Sequence, residues 1–207
     1  QYYYLELSTA RMLHELNITC EEDREAIEKR IGKIEKKYQI ELDEMQKTAV
    51  VEAAYSGLMI LTGGPGTGKT FIASGLVHEA VKEGYNAALI SLEDLLVCLK
   101  TKDVSRHAMK TYKRIMKARL LAIDNVTLYP LKREDMLLLF KLVNTLQEKV
   151  SLIIIANRGL AEWLEELGDE AVAAALLDRL LYCCEVINLS GKSYRLENRK
   201  TIFSNQT

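Results

Sequence analysis

A glycine-rich octapeptide at residues 63–70 has the residue types and spacing of a phosphate-binding loop. It reads Gly-Gly-Pro-Gly-Thr-Gly-Lys-Thr, fits the pattern G-x-x-x-x-G-K-T, and joins a predicted strand to a predicted helix. Glycines let the backbone turn so that successive N–H groups face phosphate oxygens, next to the positive end of the helix. A glycine-rich turn with an incidental lysine is the alternative. The pattern favours a nucleotide site made of Gly63, Gly64, Pro65, Gly66, Thr67, Gly68, Lys69 and Thr70.

Three residues are expected to handle the triphosphate and its metal ion. Lys69 is expected to reach the β- and γ-phosphates, and the hydroxyl of Thr70 to bind Mg²⁺. Asp124 ends the apolar segment 120–124 and is expected to hold the same ion through its water shell, the Walker B role. Asp124 could instead cap the helix that follows. The predicted cofactors are therefore ATP and Mg²⁺.

Asn125 stands where many P-loop ATPases carry the glutamate that orients or deprotonates the attacking water. An amide forms hydrogen bonds with water but does not take up its proton at neutral pH. Either hydrolysis is slow, or a nearby carboxylate such as Glu134 or Asp135 takes over that step. The sequence thus predicts an ATPase of low rate that works as a switch.

Further along the chain, Asn157 and Arg179 are candidates for contact with the γ-phosphate. Asn157 ends the apolar segment 151–157, and an amide at a strand tip can detect the phosphate, which is the sensor 1 role in AAA+ proteins. A turn-forming asparagine is the alternative. Arg179 lies among apolar residues of a predicted helix. It could be an arginine finger directed at a neighbouring subunit, or could pair with Asp178 or Glu185.

Short apolar segments alternate with longer helical ones after residue 57. Nearly continuous apolar segments of about five residues are typical of strands buried on both faces, and their alternation with helices indicates a parallel sheet between two helical layers. The predicted fold class is therefore α/β, a three-layer sandwich. We expect an N-terminal helical segment over residues 1–42 and an ATPase core over 43–207. The predicted strands are 58–62, 87–91, 120–124, 151–157 and 185–189, and the predicted helices of the core include 69–83, 105–118, 132–149 and 170–181.

Composition narrows the class of protein. The chain has 207 residues and a formal net charge of −1, which excludes a uniformly basic nucleic-acid coat. Its apolar runs are far shorter than the roughly 18 residues of a membrane span, so we expect no membrane association. Adjacent Cys183 and Cys184 favour a reduced, cytoplasmic protein over a disulfide scaffold. The chain begins at Gln1 rather than Met, which indicates a fragment.

Positive charge is concentrated between residues 100 and 119, where eight basic residues stand against one acidic residue. Such a cluster can contact nucleic-acid phosphates by neutralising several charges at once. A solvated helix face is the alternative. The candidate residues for largely sequence-independent contact with duplex DNA are Lys110, Lys113, Arg114 and Lys117.

From the phosphate loop to its C-terminus the chain resembles the IstB-like transposition helper ATPases, relatives of the DnaC helicase loader within AAA+. The resemblance implies the strand order 5-1-4-3-2, ATP-dependent assembly of copies on DNA, and a transposase or replicative helicase as partner. It also implies that Arg179 acts in trans. For Arg195, contact with phosphate as a second sensor and a structural role both stay open. The matching segments are 92–96, 129–131, 156–158 with Trp163, 168–181 and, as the most specific, 187–196.

The first seventy residues resemble a different family, the RecD-like superfamily 1 DNA helicases. The resemblance rests on residues 1–16 and 42–50, which lead into the loop. In that family a glutamine at the place of Gln46 reads adenine, since its amide can pair with both N6 and N7. A surface helix residue is the alternative for Gln46. No Gly-Asp-x-x-Gln segment follows Asp124, so we expect a chimera that cannot unwind DNA by itself.

Three functions stay open at this point. The first is an ATPase of the IstB/DnaC type that assembles on DNA and assists transposition or replication. The second is an ATP-binding fragment of a RecD-like helicase. The third is a nucleotide-binding interaction module with negligible hydrolysis, which Asn125 suggests.

Overall fold

The computed structural model describes residues 23–126, 131–146, 149–157, 159, 174, 178, 180–181 and 184–190. None of the described helices combines the length and the apolar character needed to cross a bilayer. The helices are α1 (Arg24–Tyr38), α2 (Glu44–Tyr55), α3 (Lys69–Lys82), α4 (Leu92–Thr101), α5 (Arg106–Met116) and α6 (Arg133–Leu146). The strands are β1 (Leu58–Thr62), β2 (Ala87–Ser91), β3 (Leu120–Val126), β4 (Ser151–Ala156) and β5 (Cys184–Asn188).

The described strands form a five-stranded sheet in the order β2-β3-β4-β1-β5, with every neighbouring pair parallel. This is the predicted order 5-1-4-3-2, counted from the other edge. In the register, Ile60 of β1 pairs with Ile154 of β4, which in turn pairs with Ile123 of β3. Because parallel strands run the same way, the segments that follow β1, β3 and β4 meet at one edge of the sheet.

Apolar side chains cover both faces of the sheet, because successive residues of a strand point to opposite sides. On one face, strand residues such as Ile60 and Ile123 pack against α4, α5 and α6. On the other face, strand residues such as Leu61 and Ile155 pack against α2 and α3. The sheet is therefore buried between two helical layers, and the predicted α/β sandwich is confirmed.

Helix α4 corresponds to no predicted element. Its apolar residues have helical spacing and are buried, but it starts directly after β2 with no glycine or proline between them. Ser91 is both the last residue of β2 and the N-cap of α4, and its Oγ accepts a hydrogen bond from the Asp94 N–H at 3.1 Å. Because no loop residue separates the strand from the helix, the sequence pattern did not indicate a new element here.

Helices α1 and α2 form a small unit beside the sheet. Ile27 and Ile31 of α1 pack against Val51 of α2, while α2 also contacts β1, β5 and α3. The N-terminus of α2 is bound to α1, since the Leu42 N–H donates to Glu35 Oε1 at 2.8 Å. A helical segment thus precedes the sheet, as expected. The division into domains at residue 42 stays a prediction.

Candidate nucleotide-binding site

Three segments that carry predicted site residues meet at the carboxyl edge of the sheet. The loop 63–68 follows β1, and Asn157 follows β4 directly. Asp124 is the third residue from the end of β3. Strand β4 lies between β1 and β3, so Asn157 lies between the loop and Asp124. The fold therefore brings the loop, the carboxylate and the amide together from segments that are far apart in the chain.

The loop has a backbone that only glycine adopts without strain at three positions. The φ angles of Gly63, Gly66 and Gly68 are 131°, 85° and 90°. A Cβ atom on Gly63 would lie 2.3 Å from the carbonyl oxygen of Leu189, just beyond β5. The Leu189 N–H in turn donates to Thr62 O at 2.9 Å. The turn of the loop thus requires glycine at these three positions, and at Gly63 the close contact with Leu189 requires it as well.

The ammonium group of Lys69 lies inside the loop. Its Nζ donates to Gly63 O at 2.7 Å and to Gly64 O at 2.6 Å, and only 5% of the residue is exposed. Thr67 is also buried, and its Oγ1 donates to Gly64 O at 2.9 Å. Lys69 and the half-buried Thr70 begin helix α3, whose N-terminus carries a partial positive charge. This combination is suited to binding an anion.

Asp124 is enclosed at the end of β3, where the strand is irregular. It is 8% exposed, and its Oδ1 accepts a hydrogen bond from the Asn125 N–H at 2.7 Å. Asn125 has a φ of 53°, and the pairing with β4 shifts between Ile123 and Val126. Asparagine tolerates this left-handed conformation better than most residues. The backbone irregularity, a local bulge, was not predicted, although an asparagine within a strand is compatible with one.

The two carboxylates proposed as substitutes for the missing glutamate differ in their surroundings. Glu134 is exposed in the first turn of α6. Asp135 is buried, and its Oδ1 lies 2.5 Å from the Nζ of Lys100 near the end of α4. Asp135 is therefore committed to an ion pair between helices, which leaves Glu134 as the exposed carboxylate of the two.

Gln46 lies against the loop, although it belongs to α2. Its Nε2 donates to Thr67 O at 3.0 Å, and its Oε1 accepts from the Asp43 N–H at 3.2 Å. Asp43 Oδ1 accepts from the Gln46 N–H at 2.8 Å, which completes a capping box. The structure thus places Gln46 beside the phosphate loop, and reading of adenine stays a prediction. Asp43 was not among the predicted site residues, although the Asp-x-x-Gln spacing signals this cap.

Arg179 and Arg195 lie outside the described residues, so their roles stay predictions. Asn157 is described and exposed, immediately after the buried Ala156. Its position at the tip of a central strand is compatible with the predicted sensor role and with a turn.

The predicted DNA-binding residues lie apart from the loop. Helix α5 packs against α4 and the edge strand β2, three strands away from β1. Its residues Ala108 and Ile115 are buried against the rest of the protein. The exposed side carries Lys110, Lys113, Arg114 and Lys117, which we call the α5 basic face. In the part of the chain that the structure describes, none of the four lysines and arginines of this face is ion-paired.

A lysine next to the α5 basic face has different surroundings. Lys102 pairs with Asp103 at 2.8 Å, and its Nζ lies 5.4 Å from the centre of the Tyr112 ring. The side-chain hydrogen bond with Asp103 raises the pKa of Lys102. Its charge is partly neutralised by Asp103, which distinguishes Lys102 from the residues of the α5 basic face.

Sequence comparison connects this chain to proteins of insertion sequences. A family model described as IstB-like ATP binding protein matches residues 8–202. An IS21-like putative ATP-binding protein of Bacteroides fragilis is 68% identical over 165 residues, which are 80% of this chain and 62% of that protein. The IS21 putative ATP-binding protein of Pseudomonas aeruginosa is 35% identical over 157 residues, 76% of this chain and 58% of that protein. The chain therefore spans about 60% of the length of these relatives.

The family match is wider than the resemblance between the phosphate loop and the C-terminus. It begins at residue 8 and includes most of the segment 1–70 that resembled a RecD-like helicase. The separate origin of that segment stays a prediction.

DnaI and DnaA are among the solved structures with the same fold. The crystal structure of DnaI superposes with a TM-score of 0.61 and 16% identity, over 73% of this chain and 88% of that one. AMPPCP-bound DnaA from Aquifex aeolicus gives a TM-score of 0.55 and 23% identity, over 70% of this chain and 44% of that one. At these identities the likeness shows the fold alone, a P-loop AAA+ fold.

A change of Gly63 to alanine is expected to damage the loop. The new Cβ would meet a backbone oxygen at 2.3 Å, and alanine would adopt a φ of 131° at a cost of roughly 1–3 kcal/mol. We expect urea denaturation to show this loss of stability, and titration with ATP to show an affinity at least roughly tenfold lower. The matched control is Gly75→Ala in α3, where nothing lies within 4 Å. It should leave ATP affinity unchanged and stability equal or higher. Equal ATP affinity in both variants would contradict this account of the loop.

Proposed function

This chain belongs to the family of IstB-like ATP-binding proteins, and on that premise we propose that it is a slowly hydrolysing AAA+ ATPase. In this proposal it assembles on DNA with ATP and assists a transposition or replication machinery. The observation that carries the proposal is the position of Lys69, whose ammonium lies inside a glycine loop. The same edge of the sheet holds Asp124 and Asn157. A cation beside main-chain N–H groups suits a triphosphate.

The donor groups at this edge fit a magnesium nucleotide. The hydroxyl of Thr70 and the carboxylate of Asp124 are hard oxygen ligands, which Mg²⁺ prefers together with several waters. Thr70 would bind the ion directly and Asp124 through a water. The ion, when bound, neutralises charge on the β- and γ-phosphates. Lys69 would contribute a second positive charge there.

The residue after Asp124 supports a low rate of hydrolysis. The exposed Asn125 can hold a water molecule by hydrogen bonds, but it cannot accept the proton that the water must lose. Asn157 would detect the γ-phosphate, and Arg179 and Arg195 would contact the nucleotide from a neighbouring subunit and from the C-terminal side. A triphosphate that persists suits a protein whose ATP-bound form is an assembly signal.

The α5 basic face is the proposed contact with DNA. Its four exposed cations have no acidic partner among the described residues, so they are available to phosphates. Duplex DNA presents a regular array of phosphates, and contacts of this kind carry little sequence information. The relatives belong to insertion sequences, and one structural neighbour is the DnaC helicase loader. We therefore propose a transposase or a replicative helicase as protein partner.

A second function is favoured by Asn125 alone. If no carboxylate replaces the missing base, the protein would be a nucleotide-binding interaction module with negligible hydrolysis. The two candidates share the nucleotide site and differ in whether the nucleotide is turned over.

Placing a carboxylate at position 125 is expected to raise the rate of hydrolysis. A general base contributes typically 10²- to 10⁴-fold, and we expect at least roughly tenfold higher phosphate release at saturating ATP and Mg²⁺ for Asn125→Glu. Because the φ of Asn125 is 53°, Asn125→Asp is a second variant that tolerates this backbone better. The control Asn125→Ala lacks a carboxylate and should not gain activity. Fast turnover by the wild-type protein, unchanged in the carboxylate variants, would contradict the proposal.

Assembly is expected to require both ATP and Lys69. Light scattering or sedimentation should show a larger particle when ATP and duplex DNA are added to the wild-type protein, and no growth for Lys69→Ala, since the triphosphate loses its buried cation. The matched control is Lys82→Ala at the other end of α3, whose ion pair with Glu79 is on the surface. This control should assemble like the wild type. If Lys69→Ala also assembles, ATP-driven assembly is wrong.

Neutralising the α5 basic face is expected to reduce DNA affinity and its dependence on salt. Changing the four residues of the face to glutamine should lower the slope of log affinity against log salt by about 3 to 4, because each phosphate contact contributes roughly 0.9. Titration of a fluorescent duplex at several salt concentrations measures this slope. The control makes the same four-charge change on α1, at the exposed Lys29, Lys33, Lys36 and Lys37. An equal loss in the control would assign the effect to net charge and contradict the α5 contact.

A further inference from the structure

The side chain of Gln46 connects two parts of the protein that have different tasks. It is the third residue of α2, within the capping box formed with Asp43. Its amide oxygen accepts from the Asp43 N–H, and its amide nitrogen donates to the Thr67 carbonyl in the phosphate loop, 21 residues away. Since one neighbour is a donor and the other an acceptor, only this orientation of the amide satisfies both. Both ends of the amide are therefore engaged by the protein itself.

The contact with Thr67 determines the orientation of one peptide group of the loop. A trans peptide is planar, and its carbonyl and N–H point in opposite directions. Because the Thr67 carbonyl points towards Gln46, the N–H of Gly68 points away from α2. Gly68 is also packed closely against Gln46, since a Cβ atom there would lie 2.6 Å from Nε2. The peptide cannot turn over without losing the hydrogen bond to Gln46.

The helix that carries Gln46 is held firmly. Ala49, one turn further along α2, is fully buried against the sheet. At the N-terminus of the helix, Glu35 of α1 accepts from the Leu42 N–H, and the Nζ of Lys47 lies 3.6 Å from the same carboxylate. Gln46 thus reaches the loop from a helix that is braced on two sides.

We infer that Gln46 is a positioning residue: it holds the Thr67–Gly68 peptide so that the loop presents the Gly68 N–H to phosphate, and it does not read the base. The inference rests on the proposed nucleotide site and adds to it what determines the orientation of one loop peptide. If Gln46 positions this peptide, it strengthens binding of any polyphosphate, whatever the base. Adenine reading would have to use the remaining N–H and lone pair of the amide, because Asp43 and Thr67 already occupy one of each.

The test compares three ligands that share a phosphate chain and differ in the base. Binding of ATP, GTP and inorganic tripolyphosphate, each with Mg²⁺, is measured by calorimetry for the wild type and for Gln46→Met. Methionine is neutral and of similar length but cannot form the two hydrogen bonds. We expect Gln46→Met to weaken all three ligands by the same factor, roughly tenfold, as for loss of a hydrogen bond in a partly buried site. A loss for ATP alone would overturn the inference and establish adenine reading.

Two further variants separate positioning of the loop from other effects. Asp43→Ala removes the helix cap but leaves the amide nitrogen of Gln46 beside Thr67, so affinity for the three ligands should stay within twofold while thermal stability falls. Gln46→Glu keeps the acceptor for Asp43 and lacks the donor, and it should lose at least as much affinity as Gln46→Met. An equal loss in Asp43→Ala, or full affinity in Gln46→Met, overturns the inference alone. A wild-type protein that binds none of the three ligands overturns the nucleotide site as well.

Discussion

A buried ammonium group bound to two backbone carbonyls is the interaction on which this edge of the protein depends. Lys69 donates to Gly63 O and Gly64 O, in a loop whose backbone turns at Gly63, Gly66 and Gly68 with positive φ angles. A buried charge is costly unless polar groups surround it. The loop therefore needs contacts with other parts of the chain to hold its backbone. Leu189, beyond β5, lies against Gly63, and Gln46 of α2 donates a hydrogen bond to Thr67 O.

That support explains why elements with no catalytic residues matter to the site. Strand β5 pairs with β1 along its whole length and continues to Leu189, whose N–H binds Thr62. Helix α2 brings Gln46 to the Thr67 carbonyl. The N-terminal helices and the last described strand thus share the task of shaping a loop that follows the first strand. A disturbance in either element would reach the phosphate site through a direct hydrogen bond or backbone contact.

The opposite side of the site has a different character. Asp124 is enclosed, but the next residue leaves the regular strand in a left-handed turn, and its side chain is exposed. The backbone there suits asparagine and would strain most other residues. The amide at position 125 and the local bulge are therefore consistent with each other.

Local patterns in the sequence were sufficient to predict the strands and the phosphate loop of this protein. Continuous apolar segments located the strands to within two residues, because strands buried on both faces have no polar alternation to blur their limits. The octapeptide 63–70 identified the phosphate loop, and a family resemblance supplied the strand order. Only the tertiary structure showed that Gln46 meets Thr67, that Leu189 covers Gly63, and that Asp135 is taken up by Lys100. These contacts join residues far apart in the chain, and they depend on how helices and strands pack, which no local spacing of residues records.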